Sequence, residues 1–386
     1  MKDDTLPLHF QHWFPQYGPT FQRFINGPCR SVFAAYINQD APNSCNYVGC
    51  LSGRVVHCLL SQATESTKAN MAAAAVLLGL LPTTLSLIGS NTVETGLLAL
   101  RRPLLAGLLA AGTPAVAPMR MFDYDDPVEL MSRSSPLPLS VGLPGCNLKT
   151  MAALVLVAEY LVAAAAVANL AHLSYLLSIQ AVCSFSSETA FHPALWASFA
   201  LLLHAWGAFT VRLRVAVREE GWDSPSSSAP DGLGWFRARL YGVGQRLSRL
   251  FGNEFQTCVY GGDGFRLELK IKDKSSLFIF CTWVTSIATV SHIIYGTLIF
   301  SSILFVSTSD AMQIVARFVA STVICRVILV FEITGMRQRI GALTDNSAGH
   351  MCPEYLKGGC KVDVRGLDGR RSVDGDRVTA WTMNTI

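Results

Sequence analysis

Three charged or titratable side chains lie inside long apolar stretches, where such groups are rare. They are Glu159, His204 and Arg326, and each lies eight or nine residues from one end of its stretch. A helix rises about 1.5 Å per residue, so all three are expected roughly 12–14 Å from the same membrane face. A charge at the centre of a membrane helix costs about 2.5–3.5 kcal/mol on insertion. The shared depth therefore predicts one buried polar layer.

Such a layer supports two kinds of chemistry. Glu159 and Arg326 would offset much of each other's desolvation, and His204 beside them could change protonation near neutral pH. We favour the interpretation in which the layer joins helices and fixes the bundle. The alternative is a proton- or substrate-linked site. In a third interpretation the three residues share a depth by chance and do not interact, and the Arg326 side chain extends to the membrane surface.

Other candidate sites carry weaker signals. The acidic run at 123–126 (Asp-Tyr-Asp-Asp) has no nucleotide-binding fold around it and is read as a solvated loop. His350, Cys352 and Cys360 match no standard zinc spacing and lack a fourth ligand. The sequence has no phosphate-binding loop, nucleophile elbow or paired-histidine zinc motif. We therefore expect no catalytic residue, metal or cofactor, and predict that the chain is not an enzyme.

The apolar stretches predict the elements that position these residues. Hydrophobic residues make up 51% of the 386 residues. Charged residues make up 15%, against about 25% in soluble domains. About 20 helical residues cross the hydrocarbon core of a bilayer. We predict an all-α integral membrane protein with about five transmembrane helices, at 71–90, 151–177, 194–211, 277–306 and 312–334. The net charge of +4 gives no reason to expect a nucleic-acid partner.

The run 104–117 is the ambiguous element. It has only fourteen residues and contains Gly107, Gly112 and Pro114, which is more typical of a re-entrant segment than of a crossing. As a sixth crossing it would place Arg101 and Arg102 outside the cytosol, against the positive-inside rule. We therefore prefer five crossings and keep six as the alternative.

The basic residues are unevenly distributed along the chain. Lys and Arg number five in 91–149, eleven in 212–275 and eight in 335–386, whereas 173–193 and 307–311 contain none. Because basic loops stay cytosolic, the C-terminus is expected inside and the N-terminus in the lumen or outside, in the plasma membrane or the endomembrane system. The predicted units are a cap (1–69), a first membrane half (70–212), a cytosolic loop (213–275), a membrane hairpin (276–336) and a cytosolic tail (337–386).

The cap contains four of the eleven cysteines, namely Cys29, Cys45, Cys50 and Cys58. An even set in a short non-cytosolic segment predicts two disulfides, with three connectivities open. The alternative is four buried free thiols, which a cytosolic cap would favour. Abundant aromatic residues in the cap argue against disorder, and its five prolines suggest a small irregular fold.

The loop between the membrane halves contains a basic segment. Hydrophobic residues between 236 and 250 follow helical spacing, with Arg237, Arg239, Arg246 and Arg249 between them. This pattern predicts an amphipathic helix on anionic lipid headgroups at the cytosolic face. The segments 255–260 and 265–271 suggest a β-hairpin, and the tail is expected to be poorly ordered. The bilayer is thus the predicted partner, and protein partners stay unknown.

Several short motifs recur together in the first half of the chain. They are Pro28-Cys29, Cys45, Cys50, 65–72 (Glu-Ser-Thr-Lys-Ala-Asn-Met-Ala), 92–94 (Thr-Val-Glu) and 101–106 (Arg-Arg-Pro-Leu-Leu-Ala). This combination resembles a family of predicted multi-pass membrane proteins from filamentous fungi, from about Pro28 to the fifth crossing. The resemblance implies a membrane fold and a fungal context. The family has no established activity, so the resemblance implies no mechanism.

Together these features predict a non-enzymatic membrane protein with a structural, scaffolding or sensory role. The alternative is a small-molecule or proton-coupled transporter that uses Glu159, His204 and Arg326. The two differ in how Glu159→Gln should act. A transporter should lose flux while it stays folded, whereas a structural protein should lose stability.

Overall fold

The structure, a computed structural model, describes residues 9–40, 45, 49–118, 127–132, 148–219, 254–259 and 267–345. Within these ranges the protein is mainly helical, and five helical stretches are long and apolar enough to cross a membrane. They are Glu65–Ile88, Lys149–Gln180, His192–Arg214, Ser276–Ser301 and Thr308–Gln338. The prediction of an all-α membrane protein with five transmembrane helices is confirmed.

The N-terminal cap is more helical than the sequence suggested. It contains α1 (Gly18–Asn26), α2 (Arg30–Ile37) and α3 (Cys50–Gln62). Its aromatic residues supply the core, in which Phe21 is fully buried and Phe305, from a distant loop, lies 5.0 Å from the Phe21 ring centre. Phe305 has a positive φ of 67°, a backbone conformation that bulky residues rarely adopt. Phe305 thus contributes to the packing of the cap against the bundle.

The first membrane stretch is broken. It comprises α4 (Glu65–Gly79) and α5 (Leu81–Ile88), with Pro82 in the first turn of α5. Pro82 lacks an N–H, so the first helix ends before it and a new helix starts there. The backbone is then extended at Gly89, and a Cβ there would lie 2.8 Å from the Leu85 carbonyl oxygen and 2.9 Å from that of Ala115. Glycine therefore permits this close backbone approach.

The chain continues in two short helices, α6 (Thr92–Arg101) and α7 (Pro103–Ala111). A Cβ at Gly207 would lie 2.5 Å from the Thr92 Cβ, so α6 packs closely on the long helix that contains Gly207. Nine residues give α7 a length of about 13.5 Å, too short to cross a membrane. The residue after it, Gly112, lies against Ala166 and Cys325. The run predicted as re-entrant therefore enters the bundle as a half-helix.

Four long helices complete the bundle, and a short helix, α8 (Pro127–Ser132), packs against α6. The long helices are α9 (Leu148–Gln180), α10 (His192–Arg214), α11 (Ser276–Ser301) and α12 (Thr308–Gln338). At the cap end, β1 (Val182–Cys183) pairs antiparallel with β4 (Ile303–Leu304).

A three-stranded sheet covers the end of the bundle away from the cap. β3 (Leu267–Ile271) pairs antiparallel with β2 (Val215–Glu219) and parallel with β5 (Ile340–Asp345). The strand at 265–271 was expected to pair with 255–260, and this part of the prediction is wrong. The described residues 254–259 form no strand. The strands that pair with β3 are β2, which directly follows α10, and β5, which follows α12. The start of the predicted tail therefore forms part of this sheet.

Candidate functional site

A cluster of buried charges surrounds the junction of α6 and α7. The Arg102 side chain is 0% exposed, and its Nη1 lies 2.7 Å from Glu159 Oε2 on α9 and 2.9 Å from Glu332 Oε2 on α12. Both carboxylates are buried as well. Inside a protein such pairs are stable only when the charges are closely matched. One guanidinium therefore joins the α6–α7 hairpin to two long helices.

A second group of contacts closes the N-terminus of α7. Pro103 has no N–H to satisfy, and the next two N–H groups, of Leu104 and Leu105, donate to the Glu254 carboxylate at 3.1 and 2.8 Å. The Tyr160 hydroxyl donates to the same carboxylate. Negative charge is favourable at a helix N-terminus, which carries about half a positive charge. Glu254 thus caps α7 from a distant part of the chain.

Glu254 belongs to the 254–259 segment, which three arginines hold. Arg102 Nε donates to the Glu254 carbonyl oxygen at 3.1 Å, and Arg101 Nη1 donates to Cys258 Sγ at 3.0 Å. Arg339 donates to the carbonyl oxygens of Cys258 and Val259 at 2.9 and 3.1 Å. Burial, together with the nearby Glu332 carboxylate, raises the pKa of the Cys258 thiol well above its ordinary range. Cys258 therefore stays a neutral thiol.

A separate ion pair lies at the break between α5 and α6. Arg326 on α12 pairs with Glu94, with Nη2 3.1 Å from Oε1. Glu94 also accepts the Asn91 N–H at 3.3 Å, and Asn91 Oδ1 accepts the Val93 N–H at 3.1 Å. These bonds form a capping box that starts α6. The ion pair therefore stabilises a helix end inside the bundle.

His204 lies on α10 and has a third set of partners. Its Nδ1 is 2.8 Å from the Thr95 hydroxyl on α6, and the side chain is 2% exposed. It lines a cleft of about 290 Å³ between α6, α7 and α10 that also contacts Arg212. The cleft is mostly apolar and is bordered by small residues.

Each residue of the predicted layer, Glu159, His204 and Arg326, has a partner outside the layer. The prediction that Glu159 pairs with Arg326 is wrong: Arg102, at the α6–α7 junction, pairs with Glu159, whereas Glu94 of α6 pairs with Arg326. Sequence reasoning placed Arg101 and Arg102 in a loop, since the half-helix after them was too short to signal a crossing. Glu332 was visible inside an apolar run, but nothing in the sequence indicated its partner.

The cap cysteines are disulfide-bonded. Cys29 pairs with Cys58 and Cys45 with Cys50, with Cα–Cα distances of 5.9 and 5.5 Å. The expectation of two disulfides is met, and the structure selects one of three connectivities. Both distances fall in the usual range for disulfides.

Three predictions lie outside the described residues. They concern the basic helix with Arg237, Arg239, Arg246 and Arg249, the acidic run 123–126, and the cluster of His350, Cys352 and Cys360. Within the described ranges, no group of three metal-ligating side chains occurs.

Comparison with protein families, curated proteins and solved structures finds no match. The resemblance to fungal membrane proteins stays a prediction.

Proposed function

We propose that this protein is a non-enzymatic, multi-pass membrane protein with a structural or sensory role. The observation that carries the proposal is the placement of Arg102, which pairs with Glu159 and Glu332 in the bundle interior. Each of these charges is paired with an opposite charge. These ion pairs would hold the end of α6, α9 and α12 in fixed relative positions.

The proposal includes an orientation. Disulfides persist in oxidising compartments, which supports a cap in the lumen or outside the cell. The loop that follows α10 and the tail carry the largest numbers of Lys and Arg, which supports a cytosolic position for the sheet end. Anionic headgroups near Arg237, Arg239, Arg246 and Arg249 are the proposed lipid contacts, in the plasma membrane or an endomembrane.

A transporter is the second candidate, and one observation favours it. The break at Gly89–Asn91 and the half-helix α7 give the bundle irregular backbone beside ionisable side chains. Discontinuous helices with inward-pointing ends form the substrate sites of many secondary transporters. In this interpretation, Glu159, His204 and Arg326 would lie at the site, with Arg326 paired to Glu94.

The two candidates differ in what Glu159→Gln does. The purified protein is reconstituted in vesicles that contain a pH-sensitive dye, and proton flux is followed under an imposed gradient. We expect wild-type flux equal to that of empty vesicles, and a lower unfolding temperature for Glu159→Gln in detergent, because Arg102 loses one of its two partners.

The matched control is Glu188→Gln, since Glu188 is exposed near the cap and should leave the unfolding temperature unchanged. Wild-type proton flux that Glu159→Gln abolishes without a change in unfolding temperature would favour the transporter and refute the structural proposal.

A further inference from the structure

The cleft between α6, α7 and α10 opens on the side of the bundle that faces the bilayer. Its volume is about 290 Å³, at the lower end of the range for small-molecule sites. Two of its residues, Leu201 and Phe209, are exposed within a membrane-spanning stretch. Its lining on α10 recurs every three or four positions and so forms one face of that helix, from Leu201 to Arg212. The cleft is therefore an elongated groove along α10, open to apolar molecules.

One polar side chain in the wall of this groove is incompletely paired. His204 is 2% exposed, and its Nδ1 lies 2.8 Å from the Thr95 hydroxyl. Its Nε2 is buried and has no hydrogen-bond partner in the part of the chain that the structure describes. A buried polar atom without a partner is costly and uncommon. The groove thus holds an unused polar atom in an otherwise mostly apolar lining.

The surroundings of Thr95 show which hydrogen-bond role this atom has. The Thr95 hydroxyl has one proton, and its oxygen lies 3.2 Å from the carbonyl oxygens of both Asn91 and Thr92. Carbonyl oxygens only accept, so the hydroxyl proton points to them. The Thr95 oxygen then accepts the N–H of His204 Nδ1. In neutral imidazole the other nitrogen is a bare acceptor, so His204 Nε2 requires a donor such as a hydroxyl group.

The sheet end of the groove carries positive charge. Arg212 lines the groove there and is exposed, and the Lys272 Nζ donates to the Arg212 carbonyl oxygen at 3.0 Å. No ion pair within the described ranges involves Arg212, Lys272 or the adjacent Asp273. Eight helical residues separate Arg212 from His204, a rise of about 12 Å. The groove thus offers a cation at its mouth and a hydroxyl acceptor about 12 Å deeper.

These two groups restrict the molecule that the groove fits. An extended chain advances about 1.2 Å per bond, so about ten bonds separate an anion at Arg212 from a hydroxyl at His204. A phospholipid tail carries no hydroxyl and would leave Nε2 unpaired. A sterol with one hydroxyl group would satisfy His204 but would place no anion at Arg212. A fatty acid with a hydroxyl group near the middle of its chain matches both.

We propose that the groove binds a long-chain hydroxy fatty acid, whose carboxylate pairs with Arg212 and whose mid-chain hydroxyl donates to His204 Nε2. The rest of the chain lies on the apolar face of α10 and against the small residues of α7. This inference goes beyond the structural or sensory role and does not depend on it, and it assigns a ligand class to the groove.

The first test compares ligands on the wild-type, full-length protein in phosphatidylcholine nanodiscs, at a pH at which the fatty acid is ionised. Radiolabelled ricinoleic acid, with its hydroxyl on the twelfth carbon, is displaced by unlabelled ricinoleic acid, by oleic acid, which lacks the hydroxyl, and by methyl ricinoleate, which lacks the charge. Oleic acid should bind about fivefold more weakly, the effect of one hydrogen bond. Methyl ricinoleate should bind about twofold to fivefold more weakly, the effect of one exposed ion pair.

Each comparison has an outcome that contradicts the proposal. Equal displacement by oleic acid would overturn the hydrogen bond to His204, and equal displacement by methyl ricinoleate would overturn the pairing with Arg212. Absence of displaceable binding in nanodiscs would overturn the site itself.

A pair of glycine variants locates the site. Apart from its own helix, Gly107 has no atom of the described residues within 4 Å of an added Cβ, and it lines the groove. Gly107→Phe should therefore fill the groove and abolish the binding of ricinoleic acid. Gly53 on α3 has similar space around it and lies in the cap, so Gly53→Phe should leave binding unchanged. A folded Gly107→Phe variant with wild-type affinity would place the ligand elsewhere.

Two further variants assign the polar contacts through ratios of affinities, which do not depend on how much of each variant folds. His204→Leu should bind ricinoleic acid and oleic acid equally, and Arg212→Gln should bind ricinoleic acid and its methyl ester equally. A His204→Leu variant that keeps the fivefold preference for ricinoleic acid, or an Arg212→Gln variant that keeps the preference for the free acid, would overturn that contact.

Discussion

At the scale of single residues, Arg102 is the side chain on which most other charges depend. It pairs with Glu159 and Glu332 and also contacts the Glu254 carbonyl oxygen. Buried ion pairs contribute little when compared with apolar replacements of the whole group, yet removal of one partner leaves an uncompensated charge. Replacing Arg102, Glu159 and Glu332 together by uncharged residues should therefore destabilise the bundle less than replacing Arg102 alone.

This asymmetry gives a stability prediction. Arg102→Leu should lower the free energy of unfolding by about 3–5 kcal/mol, because Glu159 and Glu332 stay buried without a cation. The triple variant with Glu159→Gln and Glu332→Gln should recover much of that loss. Unfolding in detergent, followed by circular dichroism, measures both. A triple variant no more stable than Arg102→Leu would show that the ion pairs do not account for the effect.

At the scale of elements, the close packing of α6 on α10 decides where the half-helix enters. Gly207 on α10 faces Thr92, and an added Cβ would lie 2.5 Å from the Thr92 Cβ and 3.1 Å from its carbonyl oxygen. Apart from its own helix, Gly107 on α7 has no atom of the described residues within 4 Å of the position of an added Cβ. Both glycines lie within helices and differ in the space around them, so Gly107 is a suitable control for Gly207.

Alanine at these positions should act with opposite signs. Gly207→Ala should destabilise the protein by about 1–3 kcal/mol through overpacking, whereas Gly107→Ala should stabilise it by about 0.5–1 kcal/mol through lower chain entropy in the unfolded state. Thermal unfolding of the two variants tests the contact. Equal shifts for both would contradict the close approach of α6 and α10.

The elements also show what the sequence could reveal. The five membrane-spanning stretches were predictable, because each contains an apolar run long enough to cross the hydrocarbon core of a bilayer. The break at Gly89–Asn91 was not, since a ten-residue helix that starts with Thr92 and ends with Arg101 has no hydropathy signal. The partners of Glu159, His204 and Arg326 were also hidden, because they depend on the unexpected insertion of α6 and α7.

At the scale of the whole molecule, the cap and the three-stranded sheet lie at opposite ends of the bundle. α10 begins beside the loop that contacts the cap and ends at β2, and α11 returns from β3 to β4. If the five stretches cross a membrane, the segment before the first and the segment after the last lie on opposite sides of it. The cap and the sheet must therefore be accessible from different sides of the membrane.

The most direct test is the sidedness of the two ends, measured with a membrane-impermeant maleimide. In intact cells, or in sealed inside-out vesicles for an internal compartment, we expect Cys29 and Cys58 to be labelled from the cap side only after reduction. A cysteine introduced by Lys270→Cys, at an exposed position in β3, should be labelled only when the membrane is opened. Labelling of both ends from the same side, or labelling of Cys29 and Cys58 that does not depend on reductant, would contradict five crossings with a disulfide-bonded outer cap.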